Sequence, residues 1–152
     1  MHCAASVTVR APIDQVFGWL DETDRLKQWV SGLEDVAFLK PGVPRGAGTR
    51  FLFRLRERGR MTAYEGEVTA YRPPNELAVR LSSAHFALDV RYRLASRDEG
   101  TWVEQTVVLG PLGWPSRLML PLAGVWLRVQ QARQLAGFKA AVERAAGLPR
   151  RA

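Results

Sequence analysis

One cysteine, Cys3, stands in the 152 residues. It rules out an internal disulfide and sits where a chain end usually frays. Histidine is almost as scarce, with only His2 and His85 present. There is no Cys-x-x-Cys and no His-x-x-x-His, so the sequence offers no dedicated zinc site, and neither a metal nor a cofactor is expected. No Gly-x-Ser-x-Gly appears; Ser82-Ser83 and His85 read as turn residues, which leaves no activated nucleophile in view. The apolar stretch Leu118 to Leu127 stops well short of the ~20 residues needed to span a bilayer. The opening "MHCAASVTVR" lacks the basic start and long apolar run of a secretory signal, and the expected location is the cytoplasm.

Lysine is nearly missing as well: only Lys27, Lys40 and Lys139 occur, with Ile13 and Asn75 each alone of their kind. The net charge of +7 and the pI of about 10.5 are therefore carried by arginine. Such a charge is what a nucleic-acid or anionic-membrane partner would ask for. The skew is also what a GC-rich genome with many Arg codons produces. The arginines gather into no run with interleaved aromatics, and acids are interspersed among them, so no nucleic-acid partner is expected.

What is present fits one domain, 1–152, with a single core. Apolar content is 47% and charged content 24%, ordinary for a folded chain. "SVTVR" alternates like a strand. "APIDQVFGWL" predicts a short helix with Pro12 in its first turn, Asp14 near its positive end and Val16, Phe17 and Leu20 on one stripe. "DETDRLKQW" predicts a second, capped by Asp21 or Thr23. "EDVAFLK" reads as a strand, and "PGVPRGAG" as a loop. From Thr49 the period is two over a long distance: "TRFLFRLRE", "RMTAYEGEVTAY", "ELAVRL", "HFALDVRYRL" and "TWVEQTVVL", joined by short connections that include Arg58-Gly59 and "RPPN". A helix from near Pro115 to Ala146 follows, starting or kinking at Pro121 and stopped by Gly147 and Pro149.

The alternation assigns faces. Phe51, Phe53 and Leu55 point one way and Arg54, Arg56 and Arg58 the other. Leu77, Val79 and Leu81 share the dry face with Phe86, Leu88, Val90, Tyr92 and Leu94, and with Val103, Gln105, Val107 and Leu109. Arg80, Asp89, Arg91, Arg93 and Glu104 belong to the wet face, where Glu65 and Glu67 stand across from the arginines of the preceding strand. The long helix is the one element able to cover the dry face. It carries two stripes: Leu122, Val125, Val129, Ala132, Ala136 and Ala140, whose small end allows close packing, and Arg128, Gln131, Leu135, Phe138 and Val142.

In order, "APIDQVFGWLDETDRLKQW", "GAGTRF", "EGEVTAYRPPNELAVR", "GTWVEQTV" and "LAGFKAAVE" resemble the START/polyketide-cyclase superfamily, also called SRPBCC or helix-grip proteins. The resemblance rests on Ala11-Pro12, Asp21, Trp29, Gly46-x-Gly48 and Pro73-Pro74, and spans nearly the whole chain. It implies an α+β fold: a curved seven-stranded antiparallel sheet wrapped around a long C-terminal helix, with two short helices between strands 1 and 2. It also implies an apolar cavity between sheet and helix; members bind lipids, sterols, polyketides or hormones, and some cyclise or dehydrate polyketides.

On this reading the partner is a small hydrophobic molecule, and the cavity-lining residues are Trp29, Phe51, Phe53, Tyr64, Leu88, Tyr92, Gln105, Arg128, Gln131 and Leu135. Thr62 joins them as a polar group on the dry face. Each polar one has a plainer role open to it, such as bonding backbone or water within a filled core, and Trp29 serves equally well as core. Phe51, Phe53, Phe86 and Phe138 have the bulk to fill the hollow. Gly46-Ala47-Gly48 is followed by a strand and not a helix, so it reads as a tight turn and not a phosphate loop. Three functions follow: a carrier or binding module, a polyketide cyclase/aromatase or dehydratase, and a peripheral membrane contact through Trp114 and Trp126.

Overall fold

The computed structural model of the chain describes residues 2–84, 87–110 and 120–148, and of residues 120–124 and 126 the backbone alone. In order come β1 (His2–Val9), α1 (Ile13–Asp21), α2 (Thr23–Trp29), β2 (Leu33–Phe38), β3 (Arg50–Glu57), β4 (Arg60–Arg72), β5 (Glu76–Ser82), β6 (Ala87–Arg97), β7 (Gly100–Leu109) and α3 (Leu120–Ala145). The strands form one curved antiparallel sheet in the order β1-β7-β6-β5-β4-β3-β2. The hairpin connections make neighbours of consecutive strands, and β1 closes the order beside β7. This is the predicted helix-grip architecture, with two short helices between the first two strands and a long helix at the end.

Register confirms the dry face. Across β2, β3 and β4, Val36 lies opposite Phe53 and Phe53 opposite Tyr64. Across β4, β5 and β6, Val68 lies opposite Val79 and Val79 opposite Val90, with Leu81 opposite Leu88. Across β6, β7 and β1, Tyr92 lies opposite Gln105 and Gln105 opposite Ala5. The period of two thus puts one apolar set on one side of the whole sheet.

The chain's beginning differs from expectation. Cys3 does not lie in a frayed end: β1 starts at His2, and Cys3 pairs with Val107 and is buried. A full ladder to β7 holds it there. On the wet face the arginines of β3 find their acids on β2: Arg56 bonds Glu34 at 2.9 Å, and Arg54 reaches Asp35 at 3.8 Å. Of the two β4 acids expected across from arginines of β3, Glu67 is opposite Arg50 and Glu65 is opposite Leu52. Farther along, Arg80 pairs with Asp89 at 2.8 Å. Arg91 and Arg93 converge on Glu76 at 3.4 and 3.5 Å.

Neither Asp21 nor Thr23 caps α2. Its N-cap is Glu22, without a side-chain cap bond, because the Asp21 carboxylate is engaged elsewhere (below). α1 likewise begins after Pro12, which stands at the N-cap position. Its buried stripe is Val16, Phe17, Trp19 and Leu20.

The phase of α3 differs from the reading that packed its alanine-rich stripe closely. Gln131, Leu135, Phe138 and Val142 are buried, while Val125, Val129, Ala132 and Ala136 are exposed. The large side chains are the ones that reach neighbouring elements. Phe138, fully buried, meets Trp29 edge-on at 5.0 Å. Near the helix's end, Glu143 accepts from the Arg10 backbone N–H at 2.9 Å and the Arg10 guanidinium at 3.0 Å. Lys139 donates to Glu143 and to the Thr8 carbonyl, both at 2.6 Å. These bonds fix the helix's rotation against β1. The end itself is a Schellman motif: Gly147, with φ of +77°, donates to the Arg144 carbonyl, and Leu148 donates to the Glu143 carbonyl.

Candidate functional site: the concave face of the sheet

Among the described residues, α3 runs along β1 and against α1 and α2, and makes no comparable approach to the middle strands. The dry face is therefore covered unevenly. Phe51, Val68, Leu77, Leu94 and Val103 are buried under α1, α2 and one another. Val36, Phe53, Leu55, Val79, Leu81, Leu88 and Tyr92 are only half-buried. By register these half-buried side chains form one apolar area across β2 to β6. Apolar side chains lining a partly accessible concave face are what ligand sites are made of.

The closed end owes its shape to aromatics. Phe51 packs with Phe38 at 6.1 Å and Phe53 at 6.5 Å between centroids. Phe51 sits over Gly66, opposite it in the ladder, with no room for a β-carbon there. A lone glycine in a strand pattern is a mark of close approach, and that signal was present in "YEGEV". Beside this end the Asp21 carboxylate accepts from the Tyr71 hydroxyl at 2.8 Å. It also accepts from the Arg45 guanidinium, which bonds the Asp21 carbonyl too and lies 4.6 Å from the Phe38 ring centre. Burial and the Asp21 carboxylate push the Tyr71 phenol up to about 12. This cluster fastens the β2–β3 connection to the end of α1. Asp21 was singled out in the sequence, but its partners Tyr71 and Arg45 were not; no spacing rule links a loop arginine to a strand tyrosine.

The ten predicted lining residues are not all brought together. Phe51, Phe53, Leu88, Tyr92 and Gln105 share the concave face. Gln131 and Leu135 approach from α3 and are buried. Trp29 is half-buried against Phe138, and its indole N–H donates to the Trp19 carbonyl at 2.9 Å, so it ties the helices together. Tyr64 is on the same face near the β3–β4 hairpin, where its hydroxyl donates to Glu57 at 3.0 Å; burial and then Glu57 raise its phenol. Thr62 is half-buried opposite Leu55. Arg128 is exposed and stands apart from the buried face of α3.

One polar line crosses the dry region. Gln131 donates from Nε2 to the Gln105 carbonyl at 3.0 Å, with a longer contact of 3.5 Å to the Cys3 carbonyl. The Gln105 side chain donates from Nε2 to the Tyr92 hydroxyl at 2.8 Å. Burial pushes the Tyr92 phenol up to about 12, against an opposing pull from the Gln105 bond. Tyr92 thus stays protonated near neutral pH: a donor, not a base. Gln105 is 2% exposed, and its Oε1 is buried without a partner.

Among the described residues, no three His, Cys, Asp or Glu side chains are grouped to hold a metal, and no helix is long and apolar enough to cross a membrane. Gly46-Ala47-Gly48 is a turn, Gly48 donating to the Val68 carbonyl at 2.7 Å. His85, Phe86, Trp114 and the stretch 111–119 lie outside the described residues, as do the side chains of Leu122 and Trp126.

A family model described as "Polyketide cyclase / dehydrase and lipid transport" matches residues 1–143. No curated protein matches. Solved structures do. A protein from Thermus thermophilus superposes with a TM-score of 0.75 at 18% identity, over 95% of this chain and 99% of its own. An AHSA1-like protein from Aeromonas hydrophila gives 0.67 at 20% identity, over 100% and 98%. The di-domain ARO/CYC StfQ from the steffimycin biosynthetic pathway gives 0.73 at 15% identity, over 97% of this chain and 52% of its own.

Proposed function

The chain belongs to the polyketide cyclase/dehydrase and lipid transport family, and from that premise we propose that it binds a small hydrophobic molecule on the concave face of its sheet. The guest is a lipid, a polyketide or a similar aromatic, and the protein acts as a cytoplasmic carrier or binding module built as one domain. One observation carries this reading. The helix lies along β1 and leaves the apolar inner side of β2 to β6 half-accessible. A solid core would bury Val36, Phe53, Leu55, Val79, Leu81 and Leu88 as it buries Leu77 and Leu94, since leaving such area wet forgoes about 25 cal/mol per Å². Phe51 and Phe138 fill the closed end, and Phe53 and Leu88 line the open one.

Native mass spectrometry of the purified protein, followed by equilibrium dialysis with naphthalene, tests the reading. A co-purifying apolar guest, or saturable naphthalene binding that a Leu88→Arg change abolishes, supports it. Neither guest nor saturable uptake would overturn it.

A second reading is an aromatase/cyclase or dehydratase using the same face. The observation favouring it is the Tyr92–Gln105 bond at 2.8 Å. A phenol that keeps its proton to high pH is suited to donating to an enolate oxygen as charge develops there. Turnover of a poly-β-keto substrate that falls in Tyr92→Phe supports this reading; no turnover in either protein ends it.

A further inference from the structure

Resting on the binding reading above, we propose that the Gln105–Tyr92 pair recognises a hydroxyl group on the bound molecule, a group that accepts one hydrogen bond and donates another. The inventory decides it. A glutamine amide has two N–H donors and an acceptor oxygen; a phenol has one O–H donor and accepts as well. The bond from Gln105 Nε2 to Tyr92 uses one donor and one acceptor. Because that bond ends on the phenol oxygen, the phenol's own proton points elsewhere, and no described residue accepts it. Gln105 Oε1 is buried without a partner. Turning the amide over changes the labels and not the count: the phenol then donates to Oε1, and both N–H donors are left beside an unfilled phenol lone pair.

Either way the pair keeps two donor hydrogens and an acceptor vacant, side by side across β6 and β7. Withdrawal into the sheet is blocked. The Gln105 carbonyl is held by Gln131, and the strand is paired on both sides. The neighbours on the same face are apolar: Val90, Leu94, Val103 and Val107. None of them supplies the missing partner.

A buried polar atom left unpaired is costly, so the pair selects what fills both kinds of vacancy. A ketone or an ether accepts only and leaves Oε1 empty. A carboxylate sets a negative charge against Oε1. A hydroxyl on an apolar body donates to the acceptor and accepts from a donor at once. Tyr92 is half-buried and borders the accessible area, so the guest's hydroxyl reaches the phenol from that side, with the Gln105 amide beside it. A single water is the competing occupant, and it would make the guest's own polar group irrelevant.

Affinities of 2-naphthol, 2-methoxynaphthalene and naphthalene, measured by equilibrium dialysis, separate these cases. The expected result is 2-naphthol tighter than either analogue by about tenfold, or about 1.4 kcal/mol. In Gln105→Met and in Tyr92→Phe that preference disappears, and the urea midpoint of each variant reports that it is folded. Equal affinity for 2-naphthol and 2-methoxynaphthalene in the unaltered protein overturns the inference, as does a preference that survives both substitutions. In those cases naphthalene still binds and the concave-face reading stands. If none of the three binds, that reading falls and this inference falls with it.

Discussion

The ring of Phe51 occupies the space that a side chain on Gly66 would need: a β-carbon built on Gly66 would come within 2.2 Å of Phe51 Cε2. The two residues are partners in the β3–β4 ladder. The ring therefore lies down across its neighbour strand, against Phe38 and Phe53, and shuts the closed end of the concave face.

Gly66→Ala should lift that ring and destabilise the protein by about 1–3 kcal/mol, the usual cost of overfilling a packed site. Urea unfolding reads it directly. Combined with Phe51→Leu, which removes the obstructing ring edge, the second substitution should cost less than it does alone, so the pair should be non-additive. Additivity would mean that the two side chains do not meet.

Gln131 tests how α3 is held over β7. Its amide serves the Gln105 carbonyl and is buried. Gln131→Leu removes the bond and leaves that carbonyl without its side-chain donor, so a loss on the order of 1–2 kcal/mol is expected in the denaturant midpoint. Val129→Gln, two residues away on an exposed position, should change stability by no more than about 0.5 kcal/mol.

Much of this fold is legible in the sequence because a period of two runs through the strands from Phe51 to Leu109, interrupted by the irregularity between Val68 and Ala70 in β4. A one-residue slip of a single strand would turn its whole apolar set outward, as Phe51, Phe53 and Leu55 of β3 together. The dry-face members of the site follow from the same pattern. Helix phase does not: on α3 the stripe of Val125, Val129 and Ala132 and the stripe of Gln131, Leu135 and Phe138 differ little in hydropathy. What separates them is tertiary, namely Trp29 against Phe138 and Arg10 on Glu143. Asp21 shows the same limit. A carboxylate before a short helix reads locally as a cap, yet Tyr71 and Arg45 claim it from distant parts of the chain. Cys3 likewise owes its burial to pairing with Val107, across most of the sequence.

Glu143 makes stability depend on acid. Burial alone would raise its carboxyl. Hydrogen bonds from Arg10 and Lys139 outweigh that and hold it at about 2, below the ordinary 4.5. A carboxyl depressed in the folded state stabilises fully above its unfolded value, and the contribution fades as pH falls from about 5 toward 2. Glu143→Gln should therefore be less stable at pH 7, by on the order of 1–3 kcal/mol. The gap to the unaltered protein should close steadily between pH 5 and pH 2. Denaturant midpoints of both proteins at pH 7, 4 and 3 check the convergence; parallel curves would refute it.

The tyrosines set the alkaline limit. All three, Tyr64, Tyr71 and Tyr92, have raised phenols, the latter two to about 12. An unfolded chain gives up these protons near pH 10 while the folded one keeps them. The unfolded state then binds fewer protons, so stability must fall as pH climbs through 10 toward 12. Absorbance at 295 nm should show little phenolate in the folded protein at pH 10.5 and a large jump on unfolding in urea at the same pH. The causes differ, which allows a sharper check. Tyr92 is raised by burial, Tyr71 by burial and then by the Asp21 carboxylate. Asp21→Asn should bring one phenol back toward 10 and leave the Tyr92 titration where it was. A spectrum in which both move together would show that Asp21 acts on the whole concave face through a loosened fold, and not on Tyr71 alone.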